Sequence, residues 1–166
     1  HSVHLSIYYA GKLLVIGQVD SPSSFNYSVT TGSNFDLLET SSGRVILAFQ
    51  TIEERQRRLE RRKLFMKLQK KKNNSSNNTL EKKFSSKIIH EIIKNKCEVV
   101  KSLQVNGVTN ISVPVFDHTN QAIAAVTIPF LQRIKKDSLN DMSLINTTKI
   151  LKDQALILSK SLGFQS

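Results

Sequence analysis

Val3, Leu5, Ile7 and Tyr9 alternate with His4, Ser6 and Tyr8, the period-two pattern of a strand with one buried face. Ala10-Gly11-Lys12 supplies a turn and residues 13–19 return as an apolar strand, so the chain opens on a hairpin. Pro22, within residues 20–24, ends that ladder because proline has no N–H to donate. Residues 27–29 are expected to add a short strand.

A helical pattern follows. Thr40, Ser41, Ser42 and Gly43 precede the apolar run Val45-Ile46-Leu47-Ala48-Phe49, and a hydroxyl at such a step caps a helix start. Thr51 with Glu54 has the form of a capping box and opens a second helix. Its apolar residues are few, chiefly Ile52, Leu59 and Leu64, which predicts a surface element. Residues 70–78 are polar and low in complexity, and read as a mobile connection. Thr79 is expected to cap a further helix that buries Phe84, Ile88, Ile89, Ile92 and Ile93 along one stripe.

The last third returns to strands at residues 98–102, 111–116 and 122–128. Asp117-His118-Thr119-Asn120 joins the last two as a turn, predicting an antiparallel hairpin. Residues 138–141 are expected to cap a final helix whose buried face carries Leu144, Thr148, Leu151, Ala155, Leu158 and Leu162, closed by Gly163. Strands at both ends with helices between and after imply an α+β domain, a central antiparallel sheet flanked by helices. The two terminal hairpins are expected to meet in one sheet, and such a sheet under helices resembles small-molecule sensor domains.

The length of 166 residues sets the expectation of one domain, residues 1–166. The single cysteine, Cys97, has no partner for an internal disulfide, and no Cys/His grouping offers a metal site. No apolar run approaches the roughly 20 residues of a membrane span, and the chain opens without signal-peptide features. A cytoplasmic domain is the expectation. The net charge of +11 is concentrated: residues 53–72 hold ten Lys or Arg against three acids. Such a cluster suits nucleic acid, an acidic partner or a solvated helix face.

Catalytic groupings are missing from the pattern. His1, His4, His90 and His118 stand apart from nucleophiles and metal-type partners, and are expected at the solvated surface. Cys97 reads as a buried structural thiol. The glycines form neither a dinucleotide fingerprint nor a phosphate loop. The informative step is Ser41-Ser42-Gly43. A helix N-terminus leaves N–H groups without partners, and small side chains let an anion approach them. The same residues would serve equally as a plain cap, with the glycine packed against the sheet.

These segments in this order resemble the effector-binding domain of the IclR family of bacterial and archaeal transcription regulators, over nearly the whole chain. His4-Leu5-Ser6 with residues 11–19 is similar to the family's opening hairpin. Residues 35–49 resemble its PLHATASGKALLAF signature, and residues 107–117 its GVRCIAAPVFD segment. Residues 122–128 are similar to the strand that follows. The resemblance implies a GAF-like sensor fold that binds a small metabolite, often a carboxylate, and has no cofactor. By position it implies ligand contacts from Leu37, Ser41, Ser42, Gly43, Arg44, Val100, Gly107, Val108, Asn110, Thr127 and Pro129. Val100, Asn110 and Pro129 depart from the polar, cysteine and serine residues frequent there, and Lys96 stands where a glycine is usual. Members carry an N-terminal winged helix-turn-helix that binds promoter DNA as a dimer or tetramer. That module is expected to be absent from this chain.

Three readings follow in order. The first is the ligand-sensing, self-associating half of a regulator, with no reaction of its own. The second is a nucleic-acid-binding module using residues 55–72, which lack interleaved stacking aromatics. The third is a hydrolase using Ser41 or Ser42, for which no His/Asp partner is identifiable.

Overall fold

The computed structural model describes residues 1–22, 27–68, 74–131 and 143–165. Its strands are β1 (Val3–Tyr9), β2 (Lys12–Val19), β3 (Asn34–Phe35), β4 (Glu98–Lys101), β5 (Val108–Phe116) and β6 (Ala122–Leu131). Its helices are α1 (Ser41–Ala48), α2 (Ile52–Leu68), α3 (Asn74–Lys83), α4 (Ser86–Asn95) and α5 (Leu144–Ser161). The six strands form one sheet in the order β3-β2-β1-β6-β5-β4, with every neighbouring pair antiparallel. The α+β architecture and central sheet are those the patterning predicts.

Two hairpins build the sheet. Ala10 and Gly11 both take positive φ (48° and 88°), the two-residue turn whose twist matches its flanking strands. A Cβ on Gly11 would lie 2.9 Å from the carbonyl oxygen of Arg61, because α2 lies directly against this turn. At the other hairpin Asp117 Oδ1 accepts from the N–H and hydroxyl of Thr119 (2.8 and 2.6 Å). Those bonds hold the Asp117 carboxyl below its usual range. The hairpins join where His4 pairs with Thr127 and Ser6 with Ala125.

Each sheet face carries its own core. On one, Leu13 and Ala125 meet Leu37, Leu38, the apolar residues of α1, and Phe84 and Ile92. On the other, Ile111, Val113, Val115 and Ala124 meet Cys97, Leu151 and Ala155, with Val3, Leu5 and Ile7 packed alongside. All eight residues of α1 are buried, so this helix is interior on every side.

Several expectations need correction. Residues 27–29 form no strand; the edge strand is β3 instead. Of residues 70–78, 70–73 lie outside the described residues, while 74–78 are helical. Thr79 therefore sits inside α3, and Ser85 stands at the N-cap of a separate α4. Ile93 is 42% exposed. Residues 138–141 also lie outside the described residues; α5 is capped by Ser143, whose side chain accepts from Asn146 N–H. Its buried stripe is Thr147, Leu151, Ala155 and Ser159, with Leu158 and Leu162 part-exposed. Small residues at 155 and 159 let the helix settle on that side. Gly163 (φ 88°) ends α5 as expected, with Phe164 N–H returning to Ser159 O.

Candidate ligand-binding site

The site begins with the turn that starts α1. Thr40 is the N-cap: its Oγ1 accepts from Gly43 N–H (3.3 Å) and donates to Asp36 O (3.0 Å), and its carbonyl accepts from Arg44 N–H (3.2 Å). Gly43 is required by packing. A Cβ there would lie 2.1 Å from Leu37 O, a distance no pair of atoms tolerates. The glycine therefore turns toward the chain at Leu37, and its N–H is already used. The expectation that Gly43 opens the helix start to a ligand does not fit this packing.

With the backbone pressed down at Gly43, the side chains of Ser41 and Ser42 reach the sheet. Ser41 Oγ bonds Ser112 Oγ at 2.6 Å, Ser42 Oγ bonds Thr127 Oγ1 at 2.8 Å, and Ser112 Oγ bonds Thr127 Oγ1 at 2.7 Å. All four residues are buried. Four hydroxyls linked by three hydrogen bonds leave one O–H proton unused by the chain, whichever way the bonds run. The N–H groups of Ser41 and Ser42 also have no hydrogen-bond partner among the described residues.

A cleft of about 30 Å³ opens beside this chain, and Ser41, Ser42 and Thr127 line it. Asn110 and Pro129 from the late strands, and Ser102 and Gln104 after β4, close one side. Leu13, Phe35, Tyr27 and Val29 supply the apolar wall, and His4 lies across from Thr127 in the β1–β6 register. Burial pushes the His4 imidazole down to about 4, so it is neutral at pH 7. His4 makes no hydrogen bond to either serine among the described residues, so no nucleophile–base pair is assembled.

Five of the eleven expected positions thus converge: Ser41, Ser42, Asn110, Thr127 and Pro129. The other six do not line the cleft. Leu37 is fully buried behind Gly43. Arg44 donates from Nε to both Glu98 oxygens (2.9 and 3.0 Å) and from Nη1 to Leu38 O (2.6 Å). Burial raises the Glu98 carboxyl and the Arg44 charge opposes the rise. Val100 is paired with Asn110 in the ladder, Gly107 turns at φ 81° in open space, and Val108 is buried opposite Leu131. Sequence reasoning placed His4 at the solvated surface. Its polar phase on β1, shared with Ser6 and Tyr8, was the available signal, because this sheet buries both faces.

Three arginines of the basic segment turn inward, while Arg57, Arg61, Lys63 and Lys67 stay exposed. Arg55, Arg58 and Arg62 share one face of α2. Arg55 donates to Leu47 O, Ala48 O and Gln50 O at 2.8–3.0 Å. Arg58 pairs with Glu54 and stacks 4.5 Å from the Tyr8 ring. Arg62, 1% exposed, binds Asp36 and Glu81. Arg57 and Lys63 pair with Glu54 and Glu81. No group of metal-ligating side chains assembles among the described residues, and none of their helices is long and apolar enough to cross a membrane.

A family model described as bacterial transcriptional regulator IclR C-terminal matches residues 1–160. No curated protein sequence matches the chain. Among solved structures, the Thermotoga maritima IclR superposes with a TM-score of 0.69 at 23% identity, over 98% of this chain and 62% of its own. The Agobacterium tumefaciens repressor BlcR superposes with a TM-score of 0.64 at 18% identity, over 98% and 60%. The C-terminal domain of the E. coli transcriptional regulator KdgR gives 0.68 at 21%, over 98% and 88%. The chain thus spans about three fifths of the length of the first two regulators. At these identities the likeness shows the fold.

Proposed function

Since the chain belongs to the family of IclR C-terminal domains of bacterial transcriptional regulators, we propose that it is a ligand-sensing and self-associating domain that binds a small carboxylate beside the Ser41–Ser112–Thr127–Ser42 hydroxyl chain. In this reading a DNA-binding segment of the whole regulator receives the signal, the protein is cytoplasmic, and the domain catalyses nothing.

The observation that carries the reading is the spare hydroxyl proton at a buried, cleft-lining chain. A carboxylate accepts that proton and the Ser41 and Ser42 N–H groups at the positive end of α1. Among the described residues, no carboxylate lines the cleft to compete. Its volume of about 30 Å³ holds about two water-sized groups, since each needs roughly 10–15 Å³. That size suits a carboxyl group on a very short chain. Arg55, Arg58 and Arg62 are engaged within the fold, which removes three of the segment's cations from any nucleic-acid surface.

The test is calorimetric titration with acetate and with its neutral analogue acetamide. Acetate is expected to bind more tightly, and Thr127→Val to weaken it at least about tenfold, the worth of a hydrogen bond to a charged group. Equal binding of the two compounds, or acetate binding unchanged in Thr127→Val, overturns the assignment.

A further inference from the structure

A second cleft lies on the other face of the sheet and arises from a mismatch in length. β4 covers the outer edge of β5 only as far as the Glu98–Ser112 pair. Beyond it Pro114 has no N–H to offer, and Phe116 N–H donates to Ser159 Oγ of α5 (2.9 Å), so this stretch of edge takes no further strand. α5 runs beside it, but its inward stripe shrinks from Leu151 to Ala155 and Ser159. Those side chains are too small to fill the space opposite Val113 and Phe116. Leu156, Ile157 and Leu158 remain part-exposed.

The space left is about 130 Å³, against about 30 Å³ beside Ser41. Its walls are apolar: Val113, Pro114, Phe116, Ala155, Leu156 and Phe164. The Phe116 and Phe164 rings stack with centroids 4.9 Å apart. Ser159 Oγ is committed, donating to Ala155 O (2.7 Å) while accepting from Phe116. The remaining polar lining is Lys96, Lys152 and Asp153. None of the three has an ion-pair partner among the described residues. Lys96 sits at the C-cap of α4 with φ 49°, a conformation glycine adopts with less strain, yet a lysine there adds a cation to the cleft.

We propose that this cleft binds a small amphipathic organic anion, one ring or a short branched chain bearing one carboxylate. An apolar cavity of about 150 Å³ takes benzene, so about 130 Å³ matches a single six-membered ring. The apolar body lies between Pro114, Leu156 and Phe164. The carboxylate faces Lys96 and Lys152, where two cations outweigh the one carboxylate of Asp153. The assignment is independent of the site beside Ser41, whose cleft is too small for a ring.

Benzoate is the probe, with benzyl alcohol as its uncharged counterpart, followed by protein-observed NMR. Benzoate is expected to shift the amides of Phe116, Phe164 and residues 152–159 and to leave those of Ser41 to Gly43 unmoved. Replacing Lys96 and Lys152 together by glutamine is expected to weaken benzoate about fivefold, the upper range for part-exposed ion pairs. Benzyl alcohol binding is expected to be unaffected by that change. Ala155→Leu, which fills the floor, is expected to abolish both while the circular dichroism spectrum persists. No shifts with benzoate, shifts confined to the Ser41 cleft, or equal affinity for benzoate in the double lysine variant would each overturn the proposal.

Discussion

A single imidazole shows how far burial alters a residue in this fold. His4 sits on β1 opposite Thr127, and loss of water holds its pKa at about 4 against an ordinary 6.5. The sign of the consequence follows from linkage. In the unfolded chain His4 binds a proton as pH drops through about 6.5, whereas the folded protein refuses it until about 4. The contribution is complete above about pH 6.5, is lost progressively down to about 4, and is then flat. With part of the ring still meeting water, the loss is about 2 kcal/mol. Urea denaturation at a series of pH values should show this slope in the parent and a shallower one in His4→Gln. Parallel slopes would mean that His4 is not held neutral. Neutrality also matters for the ligand reading, since an uncharged ring brings no cation to the cleft and leaves the helix N-terminus as the positive end facing a carboxylate.

Between elements, arginines do work that apolar residues do in most surface helices. α2 has few apolar positions, so it is anchored by Arg55, Arg58 and Arg62, spaced three and four apart along one face. Arg55 forks over the C-terminus of α1 and donates to Leu47 O and Ala48 O and to Gln50 O just beyond it, where the last carbonyls of a helix lack intrahelical partners. A lysine carries the same charge but only a single rotating ammonium. Arg55→Lys should therefore destabilise the protein by about 2 kcal/mol, a drop visible in the urea midpoint; an unchanged midpoint would show that charge alone suffices. This anchoring was not legible from composition, where a run of ten cations over residues 53–72 reads as solvated surface. The strands were legible because period-two alternation survives in both hairpins. The stripe of α5 was misjudged because Leu144, Leu151 and Leu158 recur at sevens, while Ala155 and Ser159 allow closer approach and turn Leu158 outward. Of the ligand site, the Ser41-Ser42-Gly43 step was visible in the sequence. Of its partners, Thr127 was legible only through the family resemblance and Ser112 not at all, since they lie 85 and 71 residues from the serines they bond and meet them only through strand register.

At the scale of the whole molecule, the two cores are opposite faces of the same strands. On β5, Ser112 bonds Ser41 of α1, whereas Ile111 and Val113 pack in the cluster that holds Leu151 and Ala155 of α5. On β6, Thr127 bonds Ser42 and Val126 and Ile128 face the α5 side. Neither layer keeps its floor if the other is lost, so the chain should unfold as one unit. Gly43→Ala provides a lever on one face only. The added methyl would sit 2.1 Å from Leu37 O, and relieving it must move backbone, at a cost of about 3 kcal/mol. That is a large share of the 5–15 kcal/mol typical of a domain. Hydrogen exchange in this variant should accelerate for the amides of Leu151 and Ala155 as much as for those of Ile46 and Leu47, and circular dichroism and tyrosine fluorescence should report one urea midpoint. Faster exchange confined to α1, with α5 still protected, would instead mean that the two faces fold separately and that the shared strands do not couple them.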